Sequence, residues 1–359
     1  MELKNKIRNW IEERYKFDKL IEFLSKKTVP VNKHSVWYYF GGVSLFLFII
    51  QVVSGILLLL YYKVGEESSY ESIKFIMSKV SFGWLIRSIH SWSANLMILA
   101  VFIHMFSVFF TKSYRKPREF TWVTGFILLL LSITFGFSGY LLPWNELAFF
   151  ATKVGTDIIG SIPGIGHWLL IIIRGGEEVT GATLTRFFGL HAAILPGIFV
   201  VILTIHLMFV QLQGMSEPSE WVKLSYDKKK TMPFFPNFIL RDFLLWLVIL
   251  NILAILSVFL PMELGLKADA FAPAPEGIKP EWYFLFMFQT LKYIPANVLF
   301  LEGEFFGVLV FGLAGLLWLL VPFWDVKTGR GYRYRLVNIF GLFVVIFIIV
   351  MTIVSHFFS

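Results

Sequence analysis

The chain alternates long apolar stretches with short polar ones. Predominantly apolar runs fall near residues 37 to 62, 84 to 110, 121 to 142, 188 to 210, 243 to 261, 305 to 324 and 336 to 357. Each holds roughly 20 residues, enough for a helix to cross about 30 Å of hydrocarbon, so the pattern predicts seven membrane-spanning helices. Ahead of them, residues 2 to 27 set Ile7, Trp10, Ile11, Leu20, Ile21 and Leu24 at helical spacing among charges of both signs. A secretory signal would have a continuous apolar core, so residues 1 to 33 are expected to form an amphipathic helix on the cytoplasmic surface. The stretch 143 to 187 is too polar to cross and carries Pro163, Gly164, Gly166, Gly175 and Gly176, which predicts short helices on the outer face. Residues 213 to 242 hold Pro218, Pro233, Pro236 and the run Lys228, Lys229, Lys230, a linker composition. They divide a four-helix module, 34 to 212, from a three-helix module, 243 to 359.

Composition supports a membrane protein: 57% of the 359 residues are hydrophobic and 16% charged, with mean hydropathy +0.72, against about a quarter charged in soluble domains. Charge sets the orientation. With a cytoplasmic N-terminus, the loops on that side (1 to 36, 111 to 120, 211 to 242, 325 to 335) hold 22 of the chain's 32 Lys and Arg, as the positive-inside rule requires. The net charge of +8 is then explained by basic loops beside anionic lipid, without nucleic acid. There is no cysteine, so the chain carries no disulfide, no thioether-linked haem and no cysteine-ligated iron–sulfur cluster. A reaction needing one of these draws it from another subunit.

Four histidines lie inside the apolar runs as two pairs, His90 with His104 and His191 with His206. On a helix, gaps of 14 and 15 residues return to within about 40° and 60° of one face and separate the members by about 21 and 22.5 Å. Two facing helices could therefore clamp one haem near each side of the bilayer. Zinc is the competing metal, but its ligands converge on a point, whereas these pairs are spread over the membrane's depth, which favours two non-covalent, bis-histidine b-type haems. Gly41 and Gly55 in the first run and Gly125 and Gly139 in the third repeat the 14-residue gap and are expected to let a flat porphyrin approach the backbone. Arg87 and Arg186, near the outer helix ends, suit haem propionates. The expected fold is all-α and integral to the membrane, with about seven transmembrane helices: a four-helix dihaem bundle plus a three-helix C-terminal module. In the long outer loop before the sixth run, Pro280-Glu281-Trp282-Tyr283 places a carboxylate in an apolar aromatic setting. Such surroundings raise its pKa and suit Glu281 to accept a proton from a quinol hydroxyl.

Several stretches resemble the cytochrome b subunit of quinol:cytochrome c oxidoreductases, the cytochrome bc complexes. They are Phe82-Gly83-Trp84-Leu85-Ile86-Arg87-Ser88-Ile89-His90, Pro117-Arg118-Glu119 with Thr121-Trp122-Val123-Thr124-Gly125, Gly139-Tyr140-Leu141-Leu142-Pro143-Trp144, Thr183-Leu184-Thr185-Arg186-Phe187-Phe188 and the Pro280 to Tyr283 segment. The first half is similar to the photosynthetic cytochrome b and the second to its subunit IV, fused here in one chain. The resemblance implies that His90 and His191 bind the outer, low-potential haem and His104 and His206 the inner, high-potential one. It implies that Pro280, Glu281, Trp282 and Tyr283 form the quinol oxidation pocket, bordered by the turn from Tyr140 to Trp144. It also implies that Asp242, beside Arg241, is a proton donor at an inner quinone reduction site. A Rieske-type iron–sulfur protein and a c-type cytochrome are the implied partner subunits, in a homodimeric complex of the cell inner (cytoplasmic) membrane. Two positions depart from the family. Tyr39 stands where photosynthetic relatives carry a haem-attaching cysteine, and Gln211 where relatives often carry His or Arg.

Two other readings make different demands. A haem-free transporter or scaffold would use the histidines for proton relay or packing, yet Met97, Ile98, Leu99 and Val101 between them are apolar. A dihaem quinol module coupled to a multihaem cytochrome would keep the haems and change the partner.

Overall fold

The computed structural model describes residues 2–16, 19, 22, 25–31, 35–218, 221, 224–325 and 332–358. Among the described residues six helical stretches are long and apolar enough to cross a membrane: Ser35–Leu59, Gly83–Phe110, Glu119–Tyr140, Gly181–Gln213, Phe234–Phe259 and Arg335–Phe358. The remaining predicted span is the shorter apolar helix Gly303–Leu319, whose 17 residues reach about 25 Å at 1.5 Å per residue. It stops at Leu320, and Pro322 opens a further single turn over Val321–Trp324.

Numbered along the chain, the helices are α1 (Glu2–Tyr15), α2 (Tyr39–Leu59), α3 (Ser69–Lys79), α4 (Gly83–Phe110), α5 (Glu119–Tyr140), α6 (Glu146–Gly160), α7 (Gly166–Arg174), α8 (Gly181–Gly189), α9 (Leu195–Gln213), α10 (Ile239–Phe259), α11 (Leu285–Tyr293), α12 (Gly303–Leu319), α13 (Val321–Trp324) and α14 (Tyr332–Phe358). Helix α1 exposes Leu3, Ile7 and Trp10; Leu20, Ile21 and Leu24, which extend its predicted apolar face, lie outside the described residues. Between α8 and α9 the chain passes through one π segment, Leu190–Ile194, so 181 to 213 run as one interrupted helix. Pro196, in the first turn of α9, has no N–H to return to the preceding turn, which favours the wider π turn there.

Helices α2 and α4 pack side by side, as do α5 and α9, and α4 also meets α5 to close a four-helix bundle. Helix α10 lies against α2 and α4, and α11 against α14. The predicted short helices between 143 and 187 are α6, α7 and α8, folded over an apolar cluster of Leu141, Trp144, Phe149, Phe150, Val179, Leu184 and Phe187. Arg174 is buried beneath them and donates to Thr156 Oγ1, Asp157 Oδ1 and the carbonyls of Lys153 and Glu177, each at 2.7 Å. At the opposite end of the bundle, strands β1 (Thr28–Pro30) and β2 (Thr231–Pro233) pair antiparallel, Val29 opposite Met232.

A buried ionic cluster on the α4–α5 loop joins the two modules. Tyr114 donates to Asp325 Oδ2 at 2.5 Å, and Arg115 Nη2 pairs with the same oxygen at 2.9 Å and with Oδ1 at 3.0 Å. Asp325 is 1% exposed. Above the cluster, Trp122 of α5 donates its indole N–H to the Trp318 carbonyl of α12 at 3.1 Å. Removing one partner of a buried pair leaves the other charge uncompensated, at a cost of about 3–5 kcal/mol. Asp325→Ala is therefore expected to lower thermal stability markedly in purified protein. Unchanged melting would contradict this role.

Candidate functional site

The two histidine pairs face each other across the bundle. His90 and His104 project from α4, His206 from α9 and His191 from the π segment. A π turn takes up one extra residue. The longer gap from His191 to His206 is thereby absorbed, and both pairs stay in register despite spacings of 14 and 15.

The glycines sit behind the rings. A Cβ at Gly41 would lie 3.1 Å from His104 Cε1, at Gly55 3.3 Å from His90 Cε1, at Gly125 3.2 Å from His206 Cε1 and at Gly139 2.6 Å from His191 Cε1. Gly41, Gly55, Gly125 and Gly139 therefore make room for the imidazoles, one glycine to each. Spacing identified the face of each helix but not the group across from it.

The geometry fits haem. A metal held between two imidazoles, with bonds of about 2.0 Å to each, would need the rings to face each other across a gap of a few ångströms. The centroids of His90 and His191 are 6.4 Å apart. Between His104 and His206 a cavity of about 310 Å³ opens, lined also by Gly41, Gly125, Met97 and Phe199. Its size and largely apolar walls suit a flat cofactor.

The arginines are placed differently from one another. Arg87 is buried and directs Nη1 to the Met262 carbonyl at 2.5 Å and Nη2 to the Glu263 carbonyl at 3.0 Å. Its terminal nitrogens thereby tie the loop after α10 to α4. Arg186 is exposed and reaches back one turn to the Ala182 carbonyl at 3.4 Å.

The segment from Pro280 to Tyr283 is wedged against the bundle by two contacts between residues far apart in the chain. Trp282 donates its indole N–H to Asn95 Oδ1 of α4 at 2.7 Å, while Asn95 Nδ2 donates to the Ser91 carbonyl at 3.0 Å, which fixes the amide's orientation. Tyr283 places its hydroxyl against Gly136 of α5, where a Cβ would overlap it. Glu281 immediately precedes these anchors, close enough to Tyr140 and Tyr283 for its charge to act on both hydroxyls. Burial pushes the Glu281 carboxyl above its ordinary range, because a charged carboxylate is poorly solvated there. Tyr283 is pushed up by burial and then by the Glu281 and Tyr140 charges. The bordering turn closes on Trp144, whose φ of 52° is left-handed, a conformation costly for a bulky residue and typical of functional sites.

Asp242 lines the cavity between His104 and His206, next to α2, where Gly42 leaves room for its carboxylate. Its neighbour Arg241 is exposed and is not among the residues lining that cavity. Lys27 donates to the Gln211 carbonyl at 3.0 Å and also to its side-chain oxygen.

Comparison with known proteins accords with this arrangement. Residues 24–214 match the family described as cytochrome b/b6/petB, and residues 267–357 the one described as cytochrome b(C-terminal)/b6/petD. The chain is 49% identical over 351 residues to the cytochrome bc complex cytochrome b subunit of Chlorobaculum thiosulfatiphilum, spanning 96% of this chain and 80% of that relative. It is 41% identical over 214 residues to cytochrome b6 of Synechococcus elongatus, spanning 60% of this chain and 99% of that protein. A chain in a solved structure of a hyperthermophilic respiratory Complex III shares the fold with a TM-score of 0.86 and 32% identity, over 98% of this chain and 91% of that one. The chain therefore belongs to the cytochrome b family, the electron-transferring haem subunit of cytochrome bc-type complexes, with its cytochrome b6-like and subunit IV-like halves joined in one multi-pass polypeptide.

Proposed function

We propose that this subunit oxidises quinol at the outer face of the cell inner membrane and passes one electron of each pair inward, with its N-terminus on the cytoplasmic side. His90 and His191 hold one b-type haem toward the outer face, and His104 and His206 hold a second toward the cytoplasm. The observation that carries this reading is the pair of facing imidazole sets, each ring backed by its own glycine. When bound, the haems supply one-electron redox centres at two depths of the membrane.

The protein's own groups do the rest. Trp282 and Tyr283, seated by Asn95 and Gly136, hold Pro280 and Glu281 against the bundle beside Tyr140, where the quinol binds. The ionised Glu281 carboxylate accepts a quinol proton and releases it outward, and Tyr140 and Tyr283 border the substrate ring. A quinol loses two protons and two electrons. One electron goes to an iron–sulfur acceptor outside this cysteine-free chain and the other goes inward, so that two turnovers supply the two electrons for one inner quinone, which takes up two protons from the cytoplasmic side by way of Asp242. Arg186 meets a propionate at the outer end of the bundle. A Rieske-type iron–sulfur protein and a c-type cytochrome complete a homodimeric quinol:cytochrome c oxidoreductase. Moving one charge across the membrane is worth about 2.3 kcal/mol per 100 mV, so the inward electron contributes to protonmotive force.

Rapid mixing of the purified complex with quinol tests this reading. Reduction of b-type absorbance bands within a turnover is expected, with proton release on the outer side in vesicles. Bands that quinol leaves oxidised, in a complex that dithionite fully reduces, would overturn it.

A further inference from the structure

Three of the four imidazoles share a partner that histidine spacing does not explain. In each, Nδ1 lies within hydrogen-bonding distance of a hydroxyl on the residue just before the facing glycine. Ser54, before Gly55, meets His90 at 2.9 Å; Thr124, before Gly125, meets His206 at 3.0 Å; Ser138, before Gly139, meets His191 at 3.1 Å. Each hydroxyl donates its proton to a main-chain carbonyl of its own helix: Ser54 to Ile50 at 2.6 Å, Thr124 to Phe120 at 2.9 Å and Ser138 to Phe135 at 3.2 Å. A hydroxyl has one proton to give, so only its lone pairs remain for the ring. The imidazole must then carry its hydrogen on Nδ1 and leave Nε2 with a free lone pair, the tautomer that ligates a metal. The carbonyl of Phe135 also lies 3.2 Å from His191 Nδ1.

The fourth position breaks the pattern. The residue before Gly41 is Phe40, which has no hydroxyl, and His104 Nδ1 is buried without a hydrogen-bond partner among the described residues.

We infer that Ser54, Thr124 and Ser138 are positioning residues that set the tautomer and donor strength of three haem-ligand imidazoles, and that the missing hydroxyl at position 40 sets the inner haem's potential above the outer one's. The inference rests on the four histidines being the ligands. An acceptor on Nδ1–H makes the ring a stronger donor, which favours the oxidised iron and lowers its potential. Counting hydroxyls, the outer pair has two such acceptors and the inner pair one, while each pair also has one main-chain carbonyl acceptor, Phe135 at His191 and Thr121 at His206. Electrons are thereby drawn inward by a difference of one hydroxyl.

Redox titration of the b-band absorbance in the purified complex tests this. Ser54→Ala is expected to raise the outer midpoint only. Thr124→Val, which keeps shape and removes the hydroxyl, is expected to raise the inner midpoint, while Thr124→Ser keeps it at the wild-type value. Phe40→Ser is expected to lower the inner midpoint relative to Phe40→Ala, the control for the lost ring. Should Thr124→Val lose haem, retention in Thr124→Ser supports the role and loss in both contradicts it. Unmoved midpoints in Ser54→Ala and Thr124→Val, with Phe40→Ser equal to Phe40→Ala, would overturn the inference. Histidine variants that lose haem while these midpoints stay fixed would sink this inference alone; histidine variants that keep both haems would sink the ligand reading beneath it.

Discussion

Alanine at His90 or His191 is expected to remove one haem from the chain and leave the other, and alanine at His104 or His206 to remove the complementary one. Haem content should fall from two to one per chain in each variant, with a different b band lost in the outer and inner variants. The reasoning is geometric. Each ring packs against a glycine on the neighbouring helix, and no flexible side chain at that glycine can substitute as a ligand. Each pair lies in its own layer of the bundle, so a loss in one leaves the other layer's ring and glycine contacts in place. All four variants retaining two haems would contradict the ligand assignment.

Glutamine at Glu281 is expected to keep both haems and slow quinol oxidation by about 10²- to 10⁴-fold, the usual contribution of a positioned proton acceptor. The pH dependence follows from the raised carboxyl. Below its pKa Glu281 is neutral and cannot take a proton; above it the carboxylate is formed and can. The wild-type rate should therefore climb with pH along a limb centred above the ordinary Glu value of about 4.3. In Glu281→Gln that limb should vanish while the Trp282 to Asn95 contact persists. Wild-type turnover and an unchanged profile in the variant would remove Glu281 from the proton path.

Much of this arrangement was legible in the sequence, because a membrane constrains it so strongly. Apolar length located the spans, and the periodicity of His90, His104, His191 and His206 selected their faces. The misses have physical causes. Helix α3 is short and mixes Glu71, Lys74 and Lys79 with its apolar residues, and its packing against α4 and the bonds of Ser69 and Ser72 to the preceding loop hold it in place. The pairing of β1 with β2 joins Thr28 to Pro233, a contact with no local signature. The π segment at Leu190–Ile194 left only the extra residue in the second gap and Pro196 as traces. Asn95 and Gly136 matter through what they touch across the bundle. In Asn95 the only warning was a lone amide in an apolar span, a place where polar side chains mark interhelical contacts.

The most direct test of the account is the haem-to-chain ratio of the natively purified complex, by alkaline pyridine haemochrome assay alongside reduced-minus-oxidised spectra. Two b-type haems per chain are expected, reduced in two separate one-electron waves. A folded, natively isolated chain carrying no haem, or a single one, would contradict it.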